Sequence, residues 1–201
     1  MQARLAATDL ACRRGDRVLF GGLSLELVPG EALHVTGANG IGKSSLIRIL
    51  AGLLRPFAGQ VERLGAVGLV DDRLALDENV PLGTALAFWR RLDGADQPLD
   101  RVGIGHLIDV PVRYLSTGQK KRASLARLLG QRAPIWLLDE PLNGLDSGGV
   151  ALVENLIAAH LADGGLAVMA SHQQLASEAR TLALADYALP PSQPPPAGGE
   201  A

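Results

Sequence analysis

Between Leu23 and Val28 the chain alternates apolar and polar residues, Leu23-Ser24-Leu25-Glu26-Leu27-Val28, the two-residue period of a strand with one buried face. Pro29-Gly30 predicts a tight turn into a second apolar run, Ala32-Leu33-His34-Val35-Thr36, so residues 1–36 read as short strands joined by turns. Past a glycine-rich gap, Leu46, Ile47, Ile49 and Leu50 recur at helical spacing and predict a helix from Ser44 to about Leu54, closed by Arg55-Pro56. A strand pair is expected over 59–70, with Val67-Gly68-Leu69-Val70 its buried member. From about Asp77 to Leu129 the pattern turns helical, with breaks near Asp93-Gly94 and Pro111. Ile135-Trp136-Leu137-Leu138 and Ala167-Val168-Met169-Ala170 are continuous apolar runs separated by a helical pattern from about Gly149 to Leu161. Such runs alternating with helices predict an α/β fold with a mainly parallel sheet, buried on both faces. Residues 190–201, Pro-Pro-Ser-Gln-Pro-Pro-Pro-Ala-Gly-Gly-Glu-Ala, have almost nothing to bury and are expected to form a disordered tail.

Composition narrows the picture. At 201 residues there is room for one sizeable core and a small subdomain. A formal net charge of −2, with Lys120-Lys121-Arg122 the only short basic cluster, offers nucleic acid no broad attraction. Aromatic residues make up 3% of the chain, too few to build base-stacking platforms. Cys12 is the sole cysteine, which excludes an internal disulfide and a cysteine metal cage, and it reads as a small core residue on an early strand. No secretory leader is evident, and the most apolar stretch, Leu46 to Leu54, is interrupted by Arg48 and too short to span a bilayer; the chain is expected to be soluble by itself.

The glycine-rich gap is the first candidate site. Gly37-Ala38-Asn39-Gly40-Ile41-Gly42-Lys43-Ser44 lies between an apolar strand and a helix, the setting of a phosphate-binding loop. Its glycines let the backbone wrap a polyphosphate, and the following helix aims its positive dipole end at the same charge. Lys43 supplies a cation for the β- and γ-phosphates, and the Ser44 hydroxyl is a ligand for Mg²⁺. A second candidate is Asp139-Glu140, which ends the apolar run 135–138 where ligands of parallel sheets lie. There Asp139 suits the Mg²⁺ shell and Glu140 suits a base that polarises water, although acids after a strand also serve simply as helix caps. A third is Leu115-Ser116-Thr117-Gly118-Gln119, ahead of a helix expected to start near Lys120. Ser116 and the Gly118 backbone can present donors at that helix N-terminus, as a second anion site or as an ordinary cap. One nucleotide needs one phosphate cradle, so a second cradle suggests a second molecule's nucleotide.

The order phosphate loop, Leu115–Gln119, apolar strand with Asp139-Glu140, Asn143-Gly144-Leu145-Asp146 and then His172 resembles the ATP-binding subunits of ABC transporters over residues 1–189. The resemblance implies a P-loop NTPase fold: a mainly parallel core sheet, an N-terminal antiparallel β portion, and a small helical subdomain at about 73–129 inserted in one ATP-binding domain. It implies that Gly37 to Ser45 bind ATP, that Ser116, Thr117, Gly118 and Gln119 form the signature that closes on a partner subunit's ATP, and that Asp146 belongs to the D-loop. It also implies that His172 senses the γ-phosphate. ATP and Mg²⁺ are the implied ligands, a second ATP-binding subunit and integral membrane subunits the implied partners, with no nucleic acid. The implied location is peripheral, on the cytoplasmic face of the membrane. Gly22-Leu23-Ser24-Leu25, Val110-Pro111-Val112 and Gly164-Gly165 leading to Ser171-His172-Gln173 are similar to the haem-exporter ATP-binding subunits of cytochrome c maturation.

Two positions depart from the family pattern. Arg14 stands about where an aromatic residue usually stacks on adenine, and it reads either as a stacking guanidinium or as a surface residue. Asp72, within Asp71-Asp72-Arg73, stands where a glutamine normally links Mg²⁺ to the membrane subunit, and it is a further candidate metal contact. The groove for that membrane partner is expected near Asp72 and Leu82–Leu92. His34, His106 and His160 fall in no motif and carry no assigned role. A non-transport ABC ATPase, an exporter subunit for another substrate, and a coupling subunit with degenerate hydrolysis are the competing functions.

Overall fold

The computed structural model describes residues 2–173 and 179–189; the predicted tail at 190–201 lies outside them. Two sheets carry the architecture. In the first, β1 (Arg4–Arg14) runs antiparallel between β2 (Arg17–Leu27) and β4 (Ala58–Leu64). The second is parallel and orders β5 (Val67–Val70), β6 (Ile135–Asp139), β7 (Leu166–Ala170), β3 (Ala32–Thr36) and β8 (Arg180–Ala183) side by side.

Strand alternation divides the parallel sheet cleanly between two cores. Leu33, Val35, Ile135, Leu137, Leu166, Val168 and Ala170 face the antiparallel sheet and helix α1 (Lys43–Leu50), packing with Leu46, Ile47, Ile49 and Leu50. Their neighbours Ala32, Trp136, Leu138, Ala167 and Met169 face the other way. On that side they meet α2 (Leu82–Asp93), α3 (Thr117–Gln131) and α4 (Ser147–Ala162) through residues such as Leu82, Leu86, Ala123, Ala126, Val153 and Ile157. Burial on both faces explains why β6 and β7 are apolar at every position until Asp139.

Several local expectations need correction. β1 and β2 are single strands of 11 residues each, not short pieces; register shifts between Ala7 and Leu10 and between Cys12 and Arg13 absorb their twist. Cys12 is buried on β1, as expected. Helix α1 stops at Leu50, short of Leu54, because Arg63 on β4 donates to the carbonyls of Leu50 (2.6 Å) and Ile49 (2.8 Å), and Gly52 follows at φ 80°. The helical pattern expected through 94–116 is instead a series of 3₁₀ turns at Asp100–Val102, Gly105–Leu107 and Val112–Tyr114, following the left-handed stop at Gly94. Helix α3 begins at Thr117, three residues ahead of Lys120. β8 had no apolar run to announce it; its sequence, Arg180-Thr181-Leu182-Ala183, buries little beyond Leu182.

Chain order and spatial order differ at β3, which lies between the two last strands of the chain, β7 and β8. Loops leaving the carboxyl ends of β3, β7, β6 and β5 therefore emerge side by side.

Candidate functional site

The loop after β3 wraps tightly because its glycines adopt backbone angles closed to other residues: φ is 146° at Gly37, 78° at Gly40 and 117° at Gly42. A Cβ at Gly42 would also stand 3.1 Å from the Phe20 ring, so the position is closed twice over. Lys43 opens α1 and is buried, with its ammonium bonded to the carbonyls of Gly37 (2.8 Å) and Ala38 (3.3 Å). A buried ammonium needs such partners, and these arch it across the mouth of the loop. Its nitrogen also lies 4.0 Å from Glu140 Oε1. Ala38, Asn39, Gly40 and Ser44 are exposed around the loop, Gly37 and Ile41 are partly covered, and Ser45 is buried.

From β6, Asp139 is buried beside Ser44. Burial pushes its carboxyl above the ordinary range, opposed by a hydrogen bond from Ser44 and reinforced by Glu140, Asp72 and Asp71. Its Oδ1 has no hydrogen-bond partner in the structure. An orphaned, desolvated carboxylate oxygen next to a hydroxyl suits a hard divalent cation, which would satisfy the one and neutralise the other. Among the described residues no group of three or more His, Cys, Asp or Glu side chains is placed to hold a metal.

Glu140 turns out of β6 at φ 46°, a left-handed conformation uncommon for a residue with a side chain. Its N–H donates to Ala170 O at 2.8 Å, and its Oε2 lies 3.0 Å from Nδ1 of His172, two residues past the end of β7. His172 and Lys43 thus bracket one carboxylate. The carbonyl of Glu140 accepts from Lys121 Nζ at 3.2 Å. Burial lowers the Lys121 ammonium's proton affinity, while Asp139, Asp71, Asp72 and Glu140 pull it back up. Lys121 was missed as a site residue; the only sign of it was the basic run 120–122.

Two clefts open on this cluster. One, of ≈ 570 Å³, is lined by the phosphate loop with Arg14, Leu19, Glu140, Asn143 and His172. The other, of ≈ 520 Å³, reaches from Ser44, Asp139 and Glu140 to Asp71, Asp72, Glu78, Lys120 and Lys121. Arg14 Nε donates to Ser45 Oγ at 3.3 Å, which puts its guanidinium at the loop's edge. Asp72 does border the metal-suited pair, yet its carboxylate is 80% exposed and pairs with Arg48 of α1 at 3.5 Å, alongside Asp71 at 3.3 Å.

The signature segment is built differently. Ser116 caps α3 in a reciprocal box: Ser116 Oγ accepts from Gln119 N (3.2 Å) and Ser116 N donates to Gln119 Oε1 (2.8 Å). The hydroxyl only accepts there, so its own proton remains free to bond a phosphate. Gly118 packs so closely on the Asn143–Asp146 loop that a Cβ would lie 2.9 Å from Gly144 O. Asp146 caps α4 through Gly149 N (2.8 Å) and meets Arg122 at 3.4 Å, while remaining 78% exposed. Ser116, Gly118 and Gln119 line neither cleft, and Thr117 borders only the second.

Known proteins resemble the chain in sequence and in fold. The family described as ABC transporter matches residues 20–143. The chain is 62% identical over 184 residues to the cytochrome c biogenesis ATP-binding export protein CcmA of Novosphingobium aromaticivorans, covering 91% of this chain and 96% of that one. It is 50% identical over 190 residues to the protein of the same name from Zymomonas mobilis, covering 92% and 86%. A solved ATP binding subunit of an ABC transporter superposes with a TM-score of 0.76 at 20% identity, over 84% of this chain and 79% of that one, a likeness of fold. With its phosphate loop, paired acids and signature helix set in that fold, the chain belongs to the ABC transporter ATP-binding family.

Proposed function

We propose that this ABC ATPase subunit powers an exporter of cytochrome c biogenesis, with haem export as the transported step, by hydrolysing ATP at sites shared between two copies of the chain. The pathway rests on the CcmA relatives, which span nearly the whole chain. The single observation that carries the chemistry is the convergence of Lys43 and His172 on Glu140, next to the buried Asp139, at the carboxyl edge of adjacent strands. In this reading residues 1–189 form one ATP-binding domain with a helical subdomain at about 73–129.

Each residue has a part to play. Gly37 to Ser45 cradle the phosphates, and Lys43 exchanges its loop carbonyls for phosphate oxygens. Ser44 and Asp139 would hold Mg²⁺, which would supply charge neutralisation to the phosphates. Glu140 orients a water and accepts its proton, while His172 fixes the carboxylate and reaches the γ-phosphate. Arg14 flanks the base. Ser116, Thr117, Gly118 and Gln119 of a second copy cover the other side of the nucleotide, with Asp146 at the seam. ATP then bonds both copies only when they are closed, and its hydrolysis releases them.

An ABC ATP-binding subunit of an exporter works with membrane subunits, and among the described residues no helix is long and apolar enough to cross a membrane. An apolar groove of ≈ 470 Å³ between Leu74–Val80 and α2, with Phe88 62% exposed, supports docking of the membrane subunit there. The chain would sit on the cytoplasmic face, with no nucleic-acid partner.

Glu140→Gln tests the reading. ATP affinity should stay within about threefold while turnover falls by roughly 100-fold or more. Turnover within a few fold of wild type would remove Glu140 as the base.

A further inference from the structure

The three consecutive basic residues 120–122 are not one patch. Lys120 reaches out to Glu78 at 2.9 Å, and Arg122 binds the Val102 carbonyl (3.1 Å) and Asp146 (3.4 Å). Lys121 alone turns inward, onto the backbone of Glu140. Its position matters for two reasons. Glu140 holds a left-handed conformation that a side-chain-bearing residue keeps only where its surroundings impose it. Three bonds hold the Glu140 backbone: its N–H donates to Ala170 O in the neighbouring strand, and its carbonyl accepts from Asn143 N (3.3 Å) within the following turn and from Lys121 Nζ. Lys121 supplies the one that comes from α3, whose first turn is the capped Ser116–Gln119 segment, with Ser116 five positions ahead of Lys121 and about one and a half turns away.

We propose that Lys121 is a positioning residue for hydrolysis: it holds the Glu140 peptide in its left-handed turn and ties that turn to the helix that serves the other copy's ATP. This rests on the reading of Glu140 as the base and of the site as shared. Closure of Ser116–Gln119 onto a partner's nucleotide moves α3, and Lys121 passes that movement to the carboxylate of its own subunit. A lysine serving only as counter-ion to Asp71, Asp72 and Asp139 would act on nucleotide affinity through charge. The carbonyl bond acts instead on the orientation of Glu140, and so on turnover.

The experiment is steady-state ATPase of the full chain in its membrane complex, with ATP binding measured in parallel, for Lys121→Met and Lys121→Arg. Lys121→Met should lower kcat about tenfold or more, leave the ATP dissociation constant within twofold, and bring the ATP Hill coefficient toward 1. Lys121→Arg, which keeps a donor for the carbonyl, should restore kcat to within about threefold of wild type. If Lys121→Met fails to fold, Lys121→Leu, which also lacks a donor, takes its place, with kcat expected between those of wild type and of Glu140→Gln. A kcat within twofold of wild type in the methionine or leucine variant, or a loss that appears only in ATP affinity, overturns the proposal. Full turnover in Glu140→Gln sinks the underlying reading instead, so the two failures are distinct.

Discussion

The phosphate-loop region and the Ser116–Gln119 segment, the two candidate anion sites, differ in what they leave unfinished. Around the phosphate loop the cation and the acid are buried, strained or orphaned: Lys43 is folded back on its own loop, Asp139 has an unpartnered oxygen, and Glu140 sits at positive φ. At the signature, Ser116 and Gln119 satisfy each other in a closed capping box on the surface. One half holds unmet electrostatic demand that a nucleotide and cation would answer; the other is stable alone and offers donors to an incoming molecule. In the proposed shared site, this contrast keeps the two halves from closing empty: only the half that binds ATP first has something to gain.

That contrast can be broken at either half. Lys43→Ala removes the one buried cation facing the phosphates, and ATP affinity should fall by roughly 100-fold, about 2.7 kcal/mol; equilibrium binding of ATP checks it, and an unchanged affinity would deny the loop its role. Gly118→Ala drives a methyl against Gly144 O and should cut turnover about tenfold while ATP binding to one copy stays within about twofold. Parallel loss of both would mean that the signature belongs to the same copy's site.

The smallest effect is on stability, and its sign is opposite. Burial raises the Asp139 carboxyl above its ordinary value of 3.8, so the folded chain holds that proton more tightly than the unfolded chain. Its contribution is most favourable at low pH and declines as pH rises from the ordinary value through the raised one, leaving the ionised group a burden at neutral pH. Asp139→Asn should therefore stabilise the nucleotide-free chain at pH 7 by about 1 kcal/mol, some 2–4 °C in Tm, and flatten that pH dependence, while losing Mg²⁺-dependent turnover. Thermal unfolding between pH 4 and 8 without nucleotide measures it; a lower Tm would mean that Asp139 is satisfied without a cation.

Much of the site was legible because its chemistry is local. Gly37–Ser44 is one contiguous loop, and Asp139 and Glu140 end one apolar run, so the sequence marks them as candidates. Fold class followed from the same runs, since strands buried on both faces leave no polar alternation. What escaped depends on contacts distant in sequence. Arg63 ends α1 from another sheet, β8 is held by its place beside β3 more than by its own residues, and Lys121 meets the Glu140 carbonyl across 19 positions of chain. Asp72 shows the reverse: a position read as a metal contact lies at the right edge but is engaged by Arg48.

In the proposed function a second copy completes the hydrolytic site, and analytical ultracentrifugation of Glu140→Gln with and without Mg·ATP reads that out. A single-chain mass is expected without nucleotide and twice that mass with it, the doubling lost when Gly118→Ala is added. A chain that binds ATP with full affinity yet keeps its single-chain mass would contradict it.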